Sequence, residues 1–444
     1  MSEVENRDQF GSRIGFILAS AGSAVGLGNI WRFPFVAGEN GGAAFVLIYL
    51  LLVFCIGMPV MLAEFVVGRR GQGDPVGSLR RVAGKVFTPL GGMGIFAAIV
   101  ILSFYGVVGG WTIKYTIDAL MGALGTDVPS AGAVFGTFVK DPKAVIFYQA
   151  LFMLGTYGVV ARGIGNGIEK FCTVFMPVLF LLLIVLAVRS VTLPGAAEGL
   201  AFYLKPDFSK VNGATILAAL GQAFFSLSIG IGVMLTYGSY LKKSEPIVSP
   251  AFQICFLDSF VALIAGLVIF PAVFAFGLEP GSGPGLTFVT LPAVFSKMPG
   301  GALFAVLFFF LLVIASLTSS MSQLEVICAY FVDDRKWSRG KATLTVTALT
   351  FCLGIPSAIS LGGGLNIAGK SFLDAMDFMA SNVIMPLGGM GFALLAGWVL
   401  HTMAKEEFSG SDGEPLAIYP AWRVICCVVA PAAIGWIFVT GLKW

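Results

Sequence analysis

The first segment whose residue types could do chemistry is 20–34, which reads Ser-Ala-Gly-Ser-Ala-Val-Gly-Leu-Gly-Asn-Ile-Trp-Arg-Phe-Pro. It lies in an apolar stretch long enough to cross a bilayer, yet it contains three glycines, an asparagine and an arginine. In hydrocarbon an unpaired backbone group costs several kcal/mol, so a spanning helix breaks only where it lines a cavity. Unwound backbone would present carbonyl oxygens to a hard cation and N–H groups to an anion. The segment therefore predicts a broken helix with a binding site at the break.

The same glycines could instead serve helix packing. Gly22 and Gly26 have the spacing of small residues that lets two membrane helices approach closely. Packing alone does not account for Asn29 and Arg32 in the same segment, because polar groups inside a membrane need partners. We therefore favour the binding site over the packing motif.

Two carboxylates lie inside other apolar stretches. Asp258 falls within residues 254–277, and an ionised carboxylate deep in a membrane costs at least ~2.5–3.5 kcal/mol. It must be paired, protonated or bound to a cation, unless it lies at the membrane interface near a helix end. Glu64 falls within residues 56–68, where we expect a structural carboxylate that accepts hydrogen bonds from freed backbone N–H groups.

A dense run of hydroxyl side chains occupies residues 315–323. Thr318 and Ser322 are one helical turn apart, as are Ser319 and Gln323, so each pair shares a helix face. Hydroxyl and carbonyl oxygens at this spacing suit Na⁺. The alternative is that these hydroxyls bond back to carbonyls of their own helix, as Ser and Thr often do.

Four charged residues near the ends of predicted spans are candidates for gates. Arg32 and Asp377 lie at similar depth in two different spans, and Arg7 and Asp333 could form a matching pair on the opposite side. Opposite charges in this arrangement indicate ion pairs that open and close access to a site. A static ion pair would look identical in the sequence.

The composition sets the class of protein. Of the 444 residues, 57% are hydrophobic and 11% are charged, and runs of roughly 20 apolar residues recur throughout. The net charge of +3 is too small to indicate a nucleic-acid partner, and one histidine without a ligand cluster predicts no enzyme. The sequence predicts an all-α polytopic membrane protein with about eleven transmembrane helices, at residues 13–37, 42–70, 88–122, 144–160, 167–190, 214–241, 248–277, 301–332, 341–361, 371–403 and 419–442.

Basic residues in the loops predict the orientation. If the N-terminus is cytoplasmic, seventeen of the 27 Lys and Arg residues fall on the cytoplasmic side. We therefore expect a multi-pass plasma-membrane protein with a cytoplasmic N-terminus.

The chain also contains a weak internal repeat. The first predicted span has a glycine break at 22–28, and the sixth has another at 226–232, within Ser-Leu-Ser-Ile-Gly-Ile-Gly. Five spans separate the breaks, so the second unit would be inverted relative to the first. We predict a single domain over 1–444 with one repeat at about 13–190, a second at about 214–403, and an extra helix at about 419–442.

Four motifs carry a resemblance to a known family. They are Ala24-Val-Gly-Leu-Gly-Asn-Ile-Trp-Arg-Phe-Pro34, Glu39-Asn-Gly-Gly42, Gly221-Gln-Ala-Phe-Phe-Ser-Leu-Ser228 and Leu317-Thr-Ser-Ser320. Together they resemble the neurotransmitter:sodium symporter family, and most closely its bacterial LeuT-like amino acid transporters of the eleven-span type. The resemblance implies the LeuT fold, with a 5+5 inverted repeat and unwound helices 1 and 6.

The resemblance also implies two sodium sites. The first would use the Ala24 carbonyl, the Asn29 side chain, Ser226, Asp258 and the carboxylate of the substrate. The second would be formed by three carbonyls and two hydroxyls, those of Gly22, Val25, Ala315, Thr318 and Ser319.

An amino acid substrate would lie between these ions. By the resemblance, its carboxylate would meet the Leu27–Gly28 backbone and the Tyr105 hydroxyl, and its ammonium group the carbonyls of Ala24 and Phe225 and the oxygens of Ser228. Its side chain would lie among Ile101, Phe225, Gly230, Ile231, Ser319 and Gln323. Phe225 would close over it, Arg32 with Asp377 would form the outer gate, and Arg7 with Asp333 the inner one.

The chain departs from the family pattern at three positions. LeuT-like members carry Asn at the position of Asp258, and chloride-dependent animal members carry Ser at that of Ala262. A carboxylate at 258 would supply the negative charge that chloride provides elsewhere, so we predict chloride independence and leave proton antiport through Asp258 open. Gln323 replaces an apolar residue or glycine, which argues against a purely aliphatic substrate and for a neutral polar or larger amino acid.

The function that these observations predict is a sodium-coupled symporter that imports an amino acid by alternating access through the bacterial inner membrane. A channel would need a continuous polar pore, whereas the charges here fall in isolated pairs. The remaining alternative is a proton-coupled transporter of the same fold, or one for a different organic solute.

Overall fold

The structure is a computed structural model that describes residues 7–242, 244–278, 285–409 and 416–441. Almost all of its regular structure is helical, with one short antiparallel hairpin that pairs Asn366–Ile367 with Lys370–Ser371. In chain order the helices are α1 Arg13–Ala24, α2 Gly28–Glu39, α3 Ala43–Gly71, α4 Pro75–Val82, α5 Lys85–Met121, α6 Val128–Val139, α7 Pro142–Val160, α8 Ile164–Val191, α9 Ala196–Leu204, α10 Gly213–Ser226, α11 Val233–Ser239, α12 Val248–Ala275, α13 Leu286–Lys297, α14 Gly301–Asp333, α15 Arg339–Ser360, α16 Phe372–Val399, α17 His401–Glu407 and α18 Tyr419–Gly441.

Nine of the described helices are long and apolar enough to cross a membrane. They are α3, α5, α7, α8, α12, α14, α15, α16 and α18, and their bounds agree with the predicted spans to within a few residues. The last residue of the predicted span 419–442 lies outside the described residues. The pair α1 and α2 adds a tenth span if it is counted as one bent helix.

The first predicted break is present, between α1 and α2. The two helices are bent by 49° relative to each other. Val25 has extended backbone, with φ −72° and ψ 97°, which ends α1. The helix re-forms at Gly28 after an interruption of only a few residues, as the glycine-rich segment predicted.

The second predicted break lies between α10 and α11. Ser228, Gly230 and Gly232 all have left-handed φ, at 52°, 86° and 74°, which glycine adopts without strain. At 1.5 Å per residue the 14 residues of α10 reach only about 21 Å, less than the ~30 Å hydrocarbon core. The predicted span 214–241 therefore consists of two short helices, and the count of eleven spans stays a prediction, as does the inverted repeat.

The two broken helices lie in the middle of the bundle. Helix α1 packs against α8, α12 and α14, and α11 packs against α3. The long helix α14 packs along α5 and carries the hydroxyl run past α1. This packing brings both breaks and the hydroxyl-rich face of α14 to one place.

The outermost helices present apolar side chains to their surroundings. Leu154 on α7 is 62% exposed, and Val428 on α18 is 59% exposed. Apolar surface of this extent is unfavourable in water and favourable against lipid tails. The protein is therefore a multi-pass membrane protein.

A short helix outside the spans, α4, has a carboxylate at its N-terminus. Asp74 Oδ1 accepts hydrogen bonds from the backbone N–H groups of Val76 (3.0 Å) and Gly77 (3.1 Å), which caps the helix. Its Oδ2 is buried and has no hydrogen-bond partner among the described residues. Burial, together with the nearby negative charges of Asp333 and Asp334, raises the pKa of Asp74 to about 6.

Replacing Asp74 with asparagine should stabilise the protein at neutral pH. Because the folded-state pKa lies above the ordinary value of 3.8, the ionised carboxylate opposes folding, and stability falls as pH rises from about 4 to about 6. Asp74→Asn keeps the capping oxygen and removes the charge, so we expect a gain of roughly 1–3 kcal/mol at pH 7.5.

The measurement is thermal unfolding in detergent at several pH values. The difference in melting temperature between Asp74→Asn and the wild type should shrink as the pH approaches 4.5. A wild-type protein that gains stability between pH 4.5 and 6.5 relative to Asp74→Asn would contradict a raised pKa.

Candidate functional site

A cavity lies between the two helix breaks. The empty space between its wall atoms is about 360 Å³, a figure that includes open solvent at the mouth. Both breaks, α5, α14 and α16 contribute side chains to its wall. The lining residues are Ser23, Ala24, Gly26, Gly28, Ile101, Tyr105, Phe225, Ser228, Ile231, Ser319, Gln323 and Met385.

Most of the residues predicted to bind substrate line this cavity. The nine that do so are Ala24, Gly28, Ile101, Tyr105, Phe225, Ser228, Ile231, Ser319 and Gln323. Leu27 and Gly230 do not line it. The Leu27 N–H donates to the Tyr105 hydroxyl at 3.3 Å, and Gly230 packs against the Met385 backbone.

Three lining residues were not predicted. Ser23 and Gly26 belong to the first glycine-rich segment, and its composition could have identified them. Met385 lies on α16, far along the chain, and joins the wall because the backbone of Gly230 packs against its carbonyl. No pattern in the sequence around Met385 indicates that contact.

At the second break, Glu64 accepts hydrogen bonds from freed backbone N–H groups. Its Oε1 accepts a hydrogen bond from Gly230 N–H at 2.6 Å, and its Oε2 accepts one from Leu235 N–H at 3.3 Å. A buried N–H without a partner costs about 1–3 kcal/mol, so the carboxylate compensates for helix bonds lost at the break. The structural role predicted for Glu64 is confirmed.

The two breaks are also joined through Ser23. Its carbonyl accepts a hydrogen bond from the Ser228 hydroxyl at 3.1 Å and another from the Ser319 hydroxyl at 3.1 Å. A carbonyl freed by the end of α1 is thus satisfied by both α14 and the second break. Movement of one break must therefore disturb the other.

Asp258 is fully buried at the side of the first break, so it is not an interfacial carboxylate. Its Oδ1 accepts hydrogen bonds from Asn29 Nδ2 at 2.7 Å and from the Ser226 hydroxyl at 2.9 Å. The Tyr49 hydroxyl donates to Oδ2 at 3.2 Å. The side chains predicted for the first sodium site converge here. Tyr49 of α3 joins them, although the sequence did not identify it because its neighbours are apolar.

The amide of Asn29 has its oxygen turned away from this cluster. Asn29 Oδ1 accepts a hydrogen bond from Gly26 N–H at 3.2 Å, while Nδ2 donates to the Asp258 carbonyl and side chain and to Ser226. A cation needs the amide oxygen, because the nitrogen offers no lone pair. Half a turn of the Asn29 amide would convert the hydrogen-bond cluster into a set of oxygen ligands.

Four of the five residues predicted for the second sodium site also come together. Thr318 Oγ1 lies 2.9 Å from the Ala315 carbonyl and 3.5 Å from the Val25 carbonyl. Gly22 faces Thr318 so closely that an added Cβ would lie 3.2 Å from the Thr318 Cβ. The Ser319 hydroxyl instead donates to the Ser23 carbonyl.

The alternative interpretation of the hydroxyl run holds for part of it. The hydroxyls of Ser316, Ser320 and Ser322 each donate to a carbonyl of α14 three residues earlier. Ser322 also meets the Ser23 hydroxyl at 2.7 Å. Thr318 also bonds back to its own helix, through the Ala315 carbonyl at 2.9 Å, and lies 3.5 Å from the Val25 carbonyl, whereas the Ser319 hydroxyl donates to the Ser23 carbonyl at the first break.

The two candidate gates differ in this structure. Arg7 and Asp333 form an ion pair with an N–O distance of 2.8 Å, and Arg7 also donates to the carbonyl and hydroxyl of Ser239. Among the described residues, Arg32 and Asp377 form no ion pair within 4.0 Å. The Arg32 guanidinium lies over the Phe225 ring, 4.4 Å from its centroid.

The conformation is therefore asymmetric. On the side of the N-terminus Arg7 and Asp333 are paired, whereas on the opposite side Arg32 lies over Phe225 at the cavity wall. Asp377 accepts a hydrogen bond from the Ser381 hydroxyl at 3.1 Å. The gate role of all four charged residues stays a prediction.

Comparison with known proteins gives matches over nearly the whole chain. The family model described as "Sodium:neurotransmitter symporter family" matches residues 7–129 and 138–390. An uncharacterized sodium-dependent transporter of Bacillus subtilis is 41% identical over 97% of this chain and 96% of its own length. The sodium- and chloride-dependent GABA transporter 2 of Bos taurus is 29% identical over 79% of this chain and 67% of its own.

A solved structure also matches this fold. The crystal structure of MhsT in complex with L-phenylalanine superposes with a TM-score of 0.91 at 45% sequence identity. The match covers 98% of this chain and 100% of that chain, which confirms the LeuT fold. With the family match along the same residues, this chain is a sodium-dependent symporter, not an enzyme, and it belongs to the sodium:neurotransmitter symporter family.

Proposed function

We propose that this protein couples sodium to the transport of an amino acid through the cavity between the two breaks. The observation that carries the proposal is that Asn29, Ser226 and Asp258 converge on one side of the first break. The other side of that break lines the cavity. An ion bound there would share backbone with the substrate. MhsT, the structural relative with 45% identity, was crystallised with an amino acid, L-phenylalanine.

The cavity offers complementary groups for the two ends of an amino acid. The Leu27 N–H and the Tyr105 hydroxyl lie together at the start of α2, where a helix N-terminus favours a carboxylate. The carbonyls of Ala24 and Phe225, with the Ser228 hydroxyl, would accept hydrogen bonds from the ammonium group. The substrate carboxylate would then complete the first sodium site.

We propose two sodium sites, each with oxygen atoms of the first break among its ligands. The first would bind Na⁺ through the Ala24 carbonyl, Asn29, Ser226 and Asp258. The second would use carbonyls at Gly22, Val25 and Ala315 with the hydroxyls of Thr318 and Ser319. Each ion neutralises or bridges groups that lie at the break, so binding of ion and substrate is thermodynamically coupled.

Alternating access would come from exchange between the two gates. The Arg7–Asp333 pair closes the side of the N-terminus, while Arg32 is not paired with Asp377 within 4.0 Å. In the cycle that we propose, the helices with the breaks rock against the rest of the bundle. The Arg7–Asp333 pair opens and an Arg32–Asp377 pair forms on the opposite side. The excess of basic residues in the loops on the side of the N-terminus supports a cytoplasmic N-terminus, which we propose lies at a bacterial inner membrane, and in that orientation this conformation would face outward.

Chloride independence is supported by the surroundings of Asp258. Tyr49, Ser226 and Asn29 all direct hydrogen-bond donors at this carboxylate, which is the arrangement that an anion would need. An added chloride would meet a fixed negative charge in a buried site. Loading and release of a proton at Asp258 is a second candidate, in which uptake would be accompanied by proton antiport.

Uptake by the wild-type protein should therefore not depend on chloride, whereas uptake by Asp258→Ser should. The serine leaves the Tyr49 and Ser226 hydroxyls without their acceptor and opens space for an anion. In proteoliposomes with gluconate as the anion, we expect Asp258→Ser to lose at least tenfold of the uptake rate, about 1.4 kcal/mol, and to recover part of it in chloride. Asp207→Asn, which changes an exposed carboxylate, is the matched control.

A wild-type uptake rate that falls when gluconate replaces chloride would contradict this account of Asp258. Measuring the internal pH during uptake tests the antiport separately. Antiport would carry a proton out of the lumen in each cycle, so the lumen should become more alkaline as the amino acid accumulates.

The close approach of α1 and α14 should be essential for sodium binding. A Cβ at Gly26 would overlap the Ser319 hydroxyl and lie 3.0 Å from the Tyr105 hydroxyl. Gly26→Ala should therefore push apart groups of the second sodium site, and we expect the half-saturating Na⁺ concentration to rise about five- to thirtyfold. The readout is the rise in melting temperature with added NaCl at constant ionic strength, which requires no substrate.

Gly158→Ala is the control for that variant. Gly158 lies on α7, and an added Cβ would have no atom within 4 Å. Its sodium titration should match that of the wild type. An unchanged half-saturating Na⁺ concentration in Gly26→Ala would show that the sodium sites do not lie at this break.

The proposal as a whole is tested by uptake of labelled amino acids into proteoliposomes. We expect accumulation with an inward Na⁺ gradient and none when K⁺ replaces Na⁺. Accumulation with an inward proton gradient in the absence of Na⁺ would favour the proton-coupled alternative. Sodium-dependent stabilisation without uptake of any of the twenty amino acids would indicate a different organic solute.

A further inference from the structure

Helix α1 begins with half of a capping box. Ser12 is its N-cap residue, and the Ser12 hydroxyl oxygen accepts a hydrogen bond from Gly15 N–H at 2.9 Å. In a complete capping box the residue at the position of Gly15 is Glu or Gln, and its side chain accepts a hydrogen bond from the N-cap N–H. Glycine has no side chain, so α1 cannot complete the box with its own residues.

Glu169, near the start of α8, supplies the missing half. Its Oε1 accepts hydrogen bonds from Ser12 N–H at 3.0 Å and from the Ser12 hydroxyl at 2.9 Å, and its Oε2 accepts one from Gly11 N–H at 2.7 Å. Hydrogen bonds to a carboxylate are stronger than those between neutral groups, and a negative charge at a helix N-terminus is favourable. One side chain of α8 therefore caps α1 through three hydrogen bonds.

The close approach of these two helices requires glycine at position 15. A Cβ at Gly15 would overlap the carboxyl group of Glu169. A further hydrogen bond runs in the opposite direction, from Ile164 N–H of α8 to Asp8 Oδ2 at 3.4 Å. The segment 8–12 is thus joined to the start of α8 by donors and acceptors from both partners.

The capped end of α1 covers a buried part of α8. Cys172, three residues after Glu169 and hence on the same helix face, is 1% exposed. A Cβ at Gly22 of α1 would lie 3.4 Å from the Cys172 Sγ. Gly22 also contributes a carbonyl to the second sodium site that we propose. Movement of α1 away from α8 would therefore expose Cys172 and alter that site.

The start of α1 is also attached to α12, by a different contact. Arg13 Nη2 donates a hydrogen bond to the Ser249 hydroxyl of α12 at 2.9 Å. Helix α12 carries Asp258 as well, which is hydrogen-bonded to Asn29 and Ser226 of the two broken helices. In the rocking motion that we propose, α12 would move together with α1, so the Arg13–Ser249 contact would persist.

We propose that Glu169 is a positioning residue for transport: it holds the start of α1 against α8, and α1 must leave it before the side of the N-terminus can open. The inference rests on the proposed function, because it takes alternating access as given. Without this carboxylate, α1 would move away from α8 more often when no sodium is bound. Sodium bound between α1 and α14 would oppose that movement from the other end of α1.

The test measures how fast N-ethylmaleimide alkylates Cys172 in the full-length protein in detergent. The protein is then denatured, the remaining thiols react with isotopically heavy reagent, and mass spectrometry gives the labelled fraction of each cysteine. In KCl we expect Glu169→Ala to speed the labelling of Cys172 by at least about tenfold, because three hydrogen bonds are lost. In saturating NaCl of the same ionic strength, both proteins should be labelled slowly.

Gly15→Ala tests the same contact from the other partner. The added methyl group displaces the Glu169 carboxyl group, while alanine favours the helical conformation of α1 more than glycine does. Faster labelling of Cys172 in this variant therefore cannot come from a weakened helix. Glu169→Gln keeps one acceptor oxygen, and its labelling rate should fall between those of the wild type and Glu169→Ala.

Ser249→Ala is the matched control, because it removes the contact between α1 and α12 at the same end of α1. Its labelling rate at Cys172 should stay within about twofold of that of the wild type. Cys328, fully buried on α14, reports general loosening of the structure and should stay unlabelled in every variant.

The outcomes separate this inference from the proposed function. A wild-type labelling rate at Cys172 in both Glu169→Ala and Gly15→Ala would overturn the role of Glu169 and leave the amino acid symporter intact. An equal increase in Ser249→Ala, or labelling of Cys328, would also overturn it, since the effect would then be a general loss of packing. The labelling needs no amino acid, whereas failure of every amino acid to be taken up with Na⁺ would overturn the proposed function itself. If Glu169→Ala does not fold, Glu169→Gln and Gly15→Ala decide.

Discussion

The rest of the structure depends on one buried carboxylate, that of Asp258. A charge in this position is tolerated only because Asn29, Ser226 and Tyr49 all donate to it. These donors come from α2, α10 and α3, so the carboxylate of α12 holds both broken helices and a neighbour in register. Any cation that displaces those donors changes the restraint on both breaks together, which is the physical basis for coupling in this account.

Breaking two helices inside a membrane creates a second requirement, for partners to the freed backbone groups. Glu64 meets it at the second break through Gly230 and Leu235, and the hydroxyls of Ser228 and Ser319 meet it at the first through the Ser23 carbonyl. The two buried carboxylates thus have different tasks. The partners of Glu64 are backbone N–H groups. The partners of Asp258 are side chains, which can rotate away from it, as we propose for the Asn29 amide.

The sequence allowed much of this to be predicted, because glycines and charges are costly in hydrocarbon and therefore conspicuous. The break before Gly28 and the buried positions of Asp258 and Glu64 followed from that cost, whereas the predicted cavity residues came from the resemblance to the family. Tyr49 and Met385 were missed because an apolar neighbourhood hides a tertiary contact made far away in the chain. Leu27 was predicted from the resemblance to contact the substrate through its backbone; its N–H bonds to the Tyr105 hydroxyl, and its side chain is not part of the lining.

The most direct test is a pair of high-resolution structures of the wild-type protein, one in NaCl and one in KCl. In sodium, the account predicts an ion bound between Asn29 and Asp258, with the Asn29 amide turned so that its oxygen faces the carboxylate. In potassium, Asn29 should keep its nitrogen hydrogen-bonded to Asp258 and its oxygen on the Gly26 N–H. The same hydrogen-bond cluster in both salts, without an ion between these side chains, would contradict the claim that Asp258 links sodium to the helix breaks.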